Sequence, residues 1–320
     1  MEEKTWRVRT FAGNVKRWKE PFLNDFCYPY GVIVDSSGFV YVADTGNNRI
    51  RKITPAGKII TLAGRGGLGT AGFADGTGIE AQFDHPFGVA VDSSGFVYVA
   101  DSNNHCIRKI TPGGVVSTFA GRDTAGFANG TGIAARFNEP DGIAVDSSDN
   151  LYVTDSKNHR IRKITPEGEV STLAGDGTTE DFNYPYGVTV DSFGNVYVAD
   201  YENHRIQKIT PKGEINTLAG NGARGYKDGT GIGSQFDHPS GVAVDSSGFV
   251  YVADYENHRI RKISPAGNVG TLAGSGECGY GDGFGTKAHL FKPYGVAVDS
   301  DDILYVADSN NHCIRKIGYK

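Results

Sequence analysis

The amino-acid sequence predicts an all-β protein, and within that class a six-bladed β-propeller of four-stranded antiparallel blades. Three observations predict it. One pattern of 36 residues recurs along the 320-residue chain, each copy holds four short runs rich in β-branched and aromatic residues, and one copy is divided between the two ends of the chain. Repeats of about 20 to 50 residues indicate stacked units, and four short strands in each repeat are typical of a propeller blade.

Each copy of the pattern begins with Pro-x-Gly and is expected to form one blade. The blades start near residues 29, 86, 140, 185, 239 and 293, and the first five copies end at 64, 121, 175, 220 and 274. The connectors between copies hold 21, 18, 9, 18 and 18 residues. Variation in length is therefore confined to the connectors, as the stacking of equivalent units requires.

The first copy shows how the four strands of a blade are recognised. Its apolar runs are 32–34, 40–43, 50–53 and 59–62, and the sequences between them are rich in Asp, Ser, Gly, Asn and Pro. This alternation of strand-forming and turn-forming residues predicts an antiparallel meander. The first two runs are apolar at successive positions, so both faces of each sheet are expected to be covered by neighbouring sheets.

The last blade is predicted to combine both ends of the chain. The sixth copy, 293–320, stops before its fourth strand, and the segment 6–13 matches the eight missing positions. We expect this amino-terminal segment to supply the outer strand of the last blade. It would close the ring and remove an open sheet edge, which makes 1–320 a single propeller domain.

Composition and charge exclude several classes of protein. The net charge of −5 disfavours nucleic acid as a partner, because sequence-independent phosphate binding needs a basic face. No apolar run approaches the roughly 20 residues of a membrane helix. The segment 1–7 lacks the basic and apolar regions of a signal peptide. Four cysteines without C-x-x-C spacing indicate reduced thiols. We expect a soluble, monomeric, cytoplasmic protein that needs no cofactor.

One tract in the repeat points to a known family. The sequence Asn158-His159-Arg160-Ile161, which follows a Tyr-Val-Ala-Asp-like strand, resembles the NHL repeat, and the resemblance extends over essentially the whole chain. The family is similar in architecture to the WD-type and kelch propellers. It includes protein-interaction modules, RNA-binding domains and a few lyases or hydrolases, so the resemblance implies the fold and leaves the function open.

The two faces of the predicted ring differ in how much they vary. In a meander, the strand 2–3 turns lie with the connectors on one face, and these sequences change from blade to blade, whereas the turns of the other face repeat nearly unchanged. An asymmetric ligand has more to recognise on the variable face. Its central mouth is predicted to be lined by the residues inside each Pro-x-Gly, which are Tyr30, Phe87, Asp141, Tyr186, Ser240 and Tyr294. The strand 2–3 turns add Tyr201 with Glu202 and Tyr255 with Glu256.

Aromatic rings around the mouth favour a binding function, because they offer a large contact area at low entropic cost. The leading hypothesis is a non-enzymatic binding or scaffold propeller that recognises a protein or peptide. The residues predicted to bind are Tyr30, Phe87, Asp141, Tyr186, Tyr201, Tyr255 and Tyr294. The same rings also fit a carbohydrate-binding propeller, or a structural cap that closes the channel.

An enzymatic alternative uses the same mouth. His85 precedes the Pro-x-Gly of blade 2, and Glu139 and Asp141 lie at the start of the adjacent blade 3. A histidine beside a carboxylate is the pairing of a general base with its orienting group. These three residues are the candidates for a hydrolase or lyase site.

The remaining polar residues of the repeat are assigned to structure. Five histidines share one repeat position and an aspartate ends the second strand of every blade, so both are expected to form hydrogen bonds in the turns. His85 and His238 lie in opposite blades, too far apart to share a zinc ion, and no metal site is predicted.

The glycine-rich connectors are the last candidate for a ligand site. Their motif, G-[FY]-x-[DN]-G-x-G, carries one acidic residue at most, whereas a calcium loop supplies several spaced oxygen ligands. A packed turn is favoured over a calcium site. Its expected anchors are Phe83, Phe137, Phe236 and Phe291.

Overall fold

The computed structural model describes residues 5–13, 26–67 and 69–319, and these form an all-β propeller of six antiparallel sheets, as predicted. Blade 1 contains Pro29–Val34, Val40–Asp44, Arg49–Ile53 and Ile59–Ala63. Blade 2 contains Pro86–Val91, Val97–Asp101, Cys106–Ile110 and Val115–Gly121. Blade 3 contains Pro140–Val145, Leu151–Asp155, Arg160–Ile164 and Glu169–Ala174. Blade 4 contains Pro185–Val190, Val196–Asp200, Arg205–Ile209 and Ile215–Ala219. Blade 5 contains Pro239–Val244, Val250–Asp254, Arg259–Ile263 and Asn268–Ala273. Blade 6 contains Pro293–Val298, Leu304–Asp308, Cys313–Tyr319 and the amino-terminal strand Trp6–Ala12.

Helical structure in the described residues is limited to short 3-10 turns. Five follow a second strand, at Thr45–Asn47, Ser102–Asn104, Ser156–Asn158, Tyr201–Asn203 and Ser309–Asn311. Four lie in connectors, at Gly78–Glu80, Gly132–Ala134, Gly231–Gly233 and Gly285–Lys287. None of the helical segments in the described part of the chain has the length and apolarity that crossing a membrane requires.

The ring closes through the predicted pairing of the two chain ends. Trp6–Ala12 runs antiparallel to Cys313–Tyr319, with Val8 opposite Ile317 and Arg9 opposite Lys316. Val8 is fully buried in the apolar cluster between blades 5 and 6. The outer strand of blade 6 is therefore held by both ladder hydrogen bonds and apolar packing, and the closure predicted from the sequence is confirmed.

Four blades carry a fifth strand that the sequence did not predict. It has two residues and comes from the connector that precedes the blade. The four strands are Gly76–Thr77, Gly130–Thr131, Gly229–Thr230 and Gly283–Phe284. In blade 2, Gly76 pairs with Val116 of the outer strand. After the strand, Gly78 has a φ of +56°, a left-handed conformation that glycine adopts without strain and that turns the chain away. The nine-residue connector before blade 4 lacks the glycine motif, and blade 4 keeps four strands.

Neighbouring blades pack face to face around apolar cores. The second strand of every blade is buried along its full length. One cluster joins Tyr41 and Ala43 of blade 1 to Val97 and Val99 of blade 2, and five similar clusters lie within and between the other blades. Burial on both sheet faces, which the apolar runs predicted, is confirmed.

The glycine of each Pro-x-Gly is required by the close packing around the axis. A Cβ atom on Gly31 would lie 2.3 Å from the carbonyl oxygen of Phe87 in the next blade, well inside van der Waals contact. The same contact recurs around the ring and returns to its start, where a Cβ on Gly295 would lie 2.2 Å from the carbonyl oxygen of Tyr30. Only glycine lets the six first strands approach so closely, and the residue before each glycine is thereby held at the mouth.

A buried arginine ties each glycine-rich connector to its blade, through an aspartate in three blades and through Asn129 in blade 3. In blade 2, Asp101 is fully buried and accepts hydrogen bonds from the backbone N–H of Asp84, from Asn104 and from Arg108, at 2.8, 2.9 and 2.8 Å. Arg108 also donates to Asp75 of the connector at 2.7 Å. The connector acid therefore neutralises a buried arginine. The prediction placed the hydrogen bonds of this aspartate in the adjacent turn; there it meets the side chain of Asn104, whereas the backbone N–H that it accepts belongs to the chain before Pro-x-Gly.

The anchor of the connector is one residue from its predicted position in blade 6. The side chains buried at this position, three residues before the proline, are Phe26, Phe83, Phe137, Phe182, Phe236 and Leu290. Phe291 was predicted and is wrong. Its backbone N–H donates to Asp308 at 2.8 Å, the role that Asp84 has in blade 2, and its side chain is only partly buried. The preference for phenylalanine led to the wrong residue, whereas the distance to Pro293 would have selected Leu290.

Candidate binding site at the channel mouth

The six residues inside the Pro-x-Gly tripeptides meet around one cavity at the ring axis. They are Tyr30, Phe87, Asp141, Tyr186, Ser240 and Tyr294, and glycine and apolar residues of the first strands form the rest of the wall. They meet because each begins a first strand, and the first strands are the innermost strands of the propeller. The cavity has a volume of about 70 Å³, and none of the described residues that line it is Arg, Lys or His.

The aromatic side chains of the mouth form one continuous group of rings. Tyr294 lies at its centre, with its ring centroid 4.3 Å from Tyr30, 5.8 Å from Phe87 and 5.9 Å from Tyr186. Tyr201 continues the group beyond Tyr186, with centroids 4.3 Å apart. We call these rings, together with Tyr255, the aromatic mouth. Each ring remains partly exposed, so the group both covers the channel and presents an apolar surface to a ligand.

Tyr255 completes the aromatic mouth on the side of blade 6. Its ring centroid lies 5.8 Å from that of Tyr294 and 6.3 Å from that of Tyr201.

The Tyr294 hydroxyl is buried and has no hydrogen-bond partner among the described residues. Burial raises the pKa of Tyr294 well above its usual value, so this hydroxyl stays protonated.

Asp141 is the one acid in the cavity wall. Only 6% of it is exposed, and its carboxylate accepts a hydrogen bond from Ser102 at 3.0 Å, whereas the neighbouring Ser156 donates its hydroxyl proton to the carbonyl oxygen of Pro185 at 2.6 Å. No positively charged side chain pairs with it among the described residues. Burial, which the neighbouring serine hydroxyls only partly offset, raises the pKa of Asp141 to about 7.

The serine that binds Asp141 was missed at the level of sequence. Ser102 occupies the first position of the strand 2–3 turn of blade 2, where blades 4 and 5 carry Tyr201 and Tyr255. A repeat alignment shows that these positions share a face with Asp141. It does not show which side chains touch, because the contact joins different blades.

The structure does not bring the three enzymatic candidates together. His85 is exposed, and its Nδ1 lies 2.7 Å from Asp84 and 3.0 Å from Asn103. Glu139 pairs with Lys157, and Asp141 accepts a hydrogen bond from Ser102. Among the described residues, no hydrogen bond joins any two of the three. A base held by an orienting carboxylate is therefore not assembled from His85, Glu139 and Asp141.

The repeated histidines form hydrogen bonds between blades. Nδ1 of His105 accepts from the backbone N–H of Glu139, the residue before the next Pro-x-Gly, at 3.1 Å. Four other repeat histidines do the same, and Asn48 takes this role in blade 1, accepting from the N–H of His85 at 2.9 Å. The prediction placed these bonds within the turns. They join neighbouring blades because the turn of one blade lies beside the incoming connector of the next.

One of these junctions holds a group of possible metal ligands. Between blades 4 and 5, His204, Asp237 and His238 each offer a ligand atom within 4.8 Å of the others. However, Nδ1 of His204 accepts the backbone N–H of His238 at 3.1 Å, which places the ring proton on Nε2, the other ligand nitrogen. Arg224 already pairs with Asp237 at 2.9 Å. These contacts indicate that the three residues serve to join blades 4 and 5 and do not bind a metal ion.

The ring of repeats and its aromatic mouth define the class of protein, a six-bladed repeat propeller with a candidate ligand face. The NHL repeat model matches 26–53, 83–110, 137–164, 182–209, 236–263 and 292–317. The chain belongs to the NHL-repeat family. Each match covers the first three strands of one blade, including the histidine, or Asn48 in blade 1, that joins it to the next blade.

Two relatives show how the propeller occurs in longer proteins. The chain is 30% identical to SUPPRESSOR OF QUENCHING 1, chloroplastic, of Arabidopsis thaliana, with 91% of the chain and 25% of that protein covered. It is also 30% identical to NHL repeat-containing protein 2 of Homo sapiens, with 91% of the chain and 39% of that protein covered. The chain thus spans a quarter to two fifths of these relatives.

Solved structures share the fold at low sequence identity. An auxiliary nutrient binding protein of Bacteroides thetaiotaomicron superposes with a TM-score of 0.74 and 18% identity, covering 99% of this chain and 77% of that one. Virginiamycin B lyase of Staphylococcus aureus superposes with a TM-score of 0.61 and 16% identity, covering 98% of this chain and 99% of that one. One is a binding protein and the other an enzyme, so these similarities establish the architecture alone.

Proposed function

We propose that this propeller is a binding module that recognises a protein or peptide through the aromatic mouth. The observation that carries the proposal is the continuity of the rings: Tyr30, Phe87, Tyr186, Tyr201, Tyr255 and Tyr294 form one partly exposed group on the variable face. Tyrosine and phenylalanine are enriched in protein interfaces, where a clustered aromatic surface supplies much of the binding energy.

The polar surroundings of the rings suit a binding surface. Ion pairs join Glu139 to Lys157 and Glu256 to Lys292 in the turns around the mouth. A polar rim around an apolar centre is the usual organisation of a protein interface. The hydrolase or lyase alternative needs His85 beside Glu139 or Asp141. No hydrogen bond joins His85 to either residue among the described residues, which weakens this alternative.

The test replaces mouth residues by those of other blades. Tyr201 and Tyr255 stand where three other blades carry serine, so Tyr201→Ser with Tyr255→Ser is expected to keep the blade folded. We expect the double variant to lose the proteins that the wild-type chain captures from a cell extract, as identified by mass spectrometry, because it removes two of the six rings.

A matched control lies on the opposite face. Phe193 is 82% exposed in a strand 1–2 turn, at a position where other blades also carry serine. Phe193→Ser should capture the same proteins as the wild type. Capture that survives in the Tyr201→Ser, Tyr255→Ser variant would contradict the proposal. Binding of the wild type to a glycan array, with no protein captured, would instead favour a carbohydrate ligand.

A further inference from the structure

We propose that the cavity beneath the aromatic mouth binds a primary ammonium group of the partner, with the Asp141 carboxylate as its counter-ion. The ammonium would come from a lysine side chain or from the amino terminus of a peptide. This inference rests on the proposed function and names the chemistry of the partner.

The first argument is the charge of the cavity wall. Five of the six positions inside the Pro-x-Gly tripeptides are aromatic or serine, and the sixth is Asp141. Among the described residues, no cationic side chain lines the cavity. A buried carboxylate without a counter-ion is unfavourable, and the hydrogen bond that Asp141 accepts from the hydroxyl of Ser102 brings no positive charge. A ligand that brings one positive charge would complete the site.

The contrast with the acids of the repeat strengthens this argument. Asp101, Asp155, Asp254 and Asp308 each pair with a buried arginine of their own blade, at 2.7 or 2.8 Å. The fold therefore supplies a cation to the buried acid in each of these blades. Asp141 occurs at one position of one blade and receives none among the described residues, which leaves its charge available to a ligand.

The second argument is the shape and chemistry of the walls. A volume of about 70 Å³ exceeds the 10–15 Å³ or so that one water molecule needs, and is enough for the end of an alkylammonium chain. Ring faces attract cations, and the aromatic mouth surrounds the entrance. The buried, unpartnered hydroxyl of Tyr294 offers an oxygen acceptor in the same wall. An ammonium group has three N–H donors, which match a carboxylate and a phenol oxygen well.

Entry to the cavity requires movement of the rings above it. The centroids of Tyr186 and Tyr294 are 5.9 Å apart, so they are in contact and must separate to admit a chain. Both rings are partly exposed. Their outward faces would then pack along the aliphatic part of the ligand, while its charged end reaches Asp141.

The experiment compares charged and neutral probes in NMR titrations. The probes are Nα-acetyl-lysine methylamide, glycine methylamide with its free amine, and the neutral Nα-acetyl-norleucine methylamide. We expect the wild type to bind at least one of the two ammonium probes about tenfold or more tightly than the neutral probe, as a charge-assisted hydrogen bond implies. The better ammonium probe identifies the source, a lysine side chain or an amino terminus.

Two variants test the role of the carboxylate. Asp141→Asn keeps the shape and should bind all three probes equally, whereas Glu169→Gln, which alters an exposed carboxylate on the outer strand of blade 3, should bind them like the wild type. Equal binding of charged and neutral probes by the wild type, or unchanged preference in Asp141→Asn, would overturn the inference. If so, loss of capture in the Tyr201→Ser, Tyr255→Ser variant would still support the proposed binding function.

Discussion

Two buried aspartates in blades 2 and 3 are held in different ways. Asp101, at the end of a second strand, accepts hydrogen bonds from a backbone N–H, an asparagine and Arg108. Asp141, at the start of a first strand, accepts a hydrogen bond from the hydroxyl of Ser102 and pairs with no cation among the described residues. The acid that recurs in every blade is neutralised by the blade itself. The acid that occurs once is not, which separates a structural role from a candidate binding role.

The largest expected effect comes from breaking the structural pair. Arg108→Gln would leave Asp101 buried without its cation and release Asp75 of the connector. We expect the free energy of unfolding to fall by about 3–5 kcal/mol, measured by urea denaturation, because removal of one partner leaves an uncompensated charge.

Blade 4 provides the control for this variant. It carries Gln207 in place of the arginine, and Arg205 instead pairs with its aspartate, Asp200, at 2.8 Å. The position of Arg205 is occupied by Cys106 in blade 2, so Cys106→Arg combined with Arg108→Gln should recover part of the lost stability. If Arg108→Gln alone were as stable as the wild type, the ion pair would not be what holds Asp101.

A smaller effect of opposite sign is expected at Asp141. Its pKa is about 7 in the folded protein and about 3.9 in an unfolded chain, so folding retains a proton between these values. The stability that this provides is complete below about pH 4 and is lost as the pH rises to 7. The Asp141→Asn variant does not lose stability in this way, because asparagine does not titrate. Relative to the wild type, its free energy of unfolding should rise by roughly 2–3 kcal/mol between pH 5 and pH 8.

Denaturation of both proteins at the two pH values checks this expectation, with Glu169→Gln, on the outer strand of blade 3, as the control that should show no such change. A constant difference between Asp141→Asn and the wild type across this range would mean that Asp141 is ionised throughout and is stabilised within the fold. The contrast with Asp101 would then disappear.

The smallest of these effects concerns the bonds between blades. Burial lowers the pKa of His105, whose Nδ1 must stay unprotonated to accept the N–H of Glu139. The contribution of His105 to stability is therefore present above about pH 6.5 and is lost as the pH falls, because this histidine takes up a proton at a higher pH in the unfolded chain than in the folded protein. Asn48 accepts the same bond in blade 1 without titrating. We expect His105→Asn to match the wild type at pH 8 and to exceed it by about 1 kcal/mol at pH 5 in urea denaturation. An identical pH dependence of the two proteins would exclude His105 as a titrating link.

Much of the fold could be predicted because its signals are local and repeated. The strand runs, the turns and the match of 6–13 to the end of the sixth copy each follow from neighbouring residues, and repetition confirms each reading several times. The two-residue strands were missed because Gly76 has weak strand propensity and two residues give no recognisable strand pattern, and pairing with Val115 and Val116 of blade 2 determines their conformation.

The candidate site was predictable only in part. The repeat indicated that Tyr30, Phe87 and Asp141 face one mouth, and the structure places them around one cavity. Their function in binding stays a prediction. The contact of Ser102 with Asp141 joins different blades, and the separation of His85 from Glu139 depends on which neighbours each side chain meets. Such contacts have no periodic signal in the sequence.

The sequence by itself determined that this protein is a closed ring of six blades with one variable face, because strand patterns, turn residues and repeat length are properties of short segments. Only the tertiary structure decided which charges are paired. Arg108 reaches both Asp101 and Asp75, whereas Asp141 lies buried in a cavity without a cationic side chain. Pairing depends on distances between side chains that the fold brings together from separate parts of the chain, and burial then determines how much an unpaired charge costs.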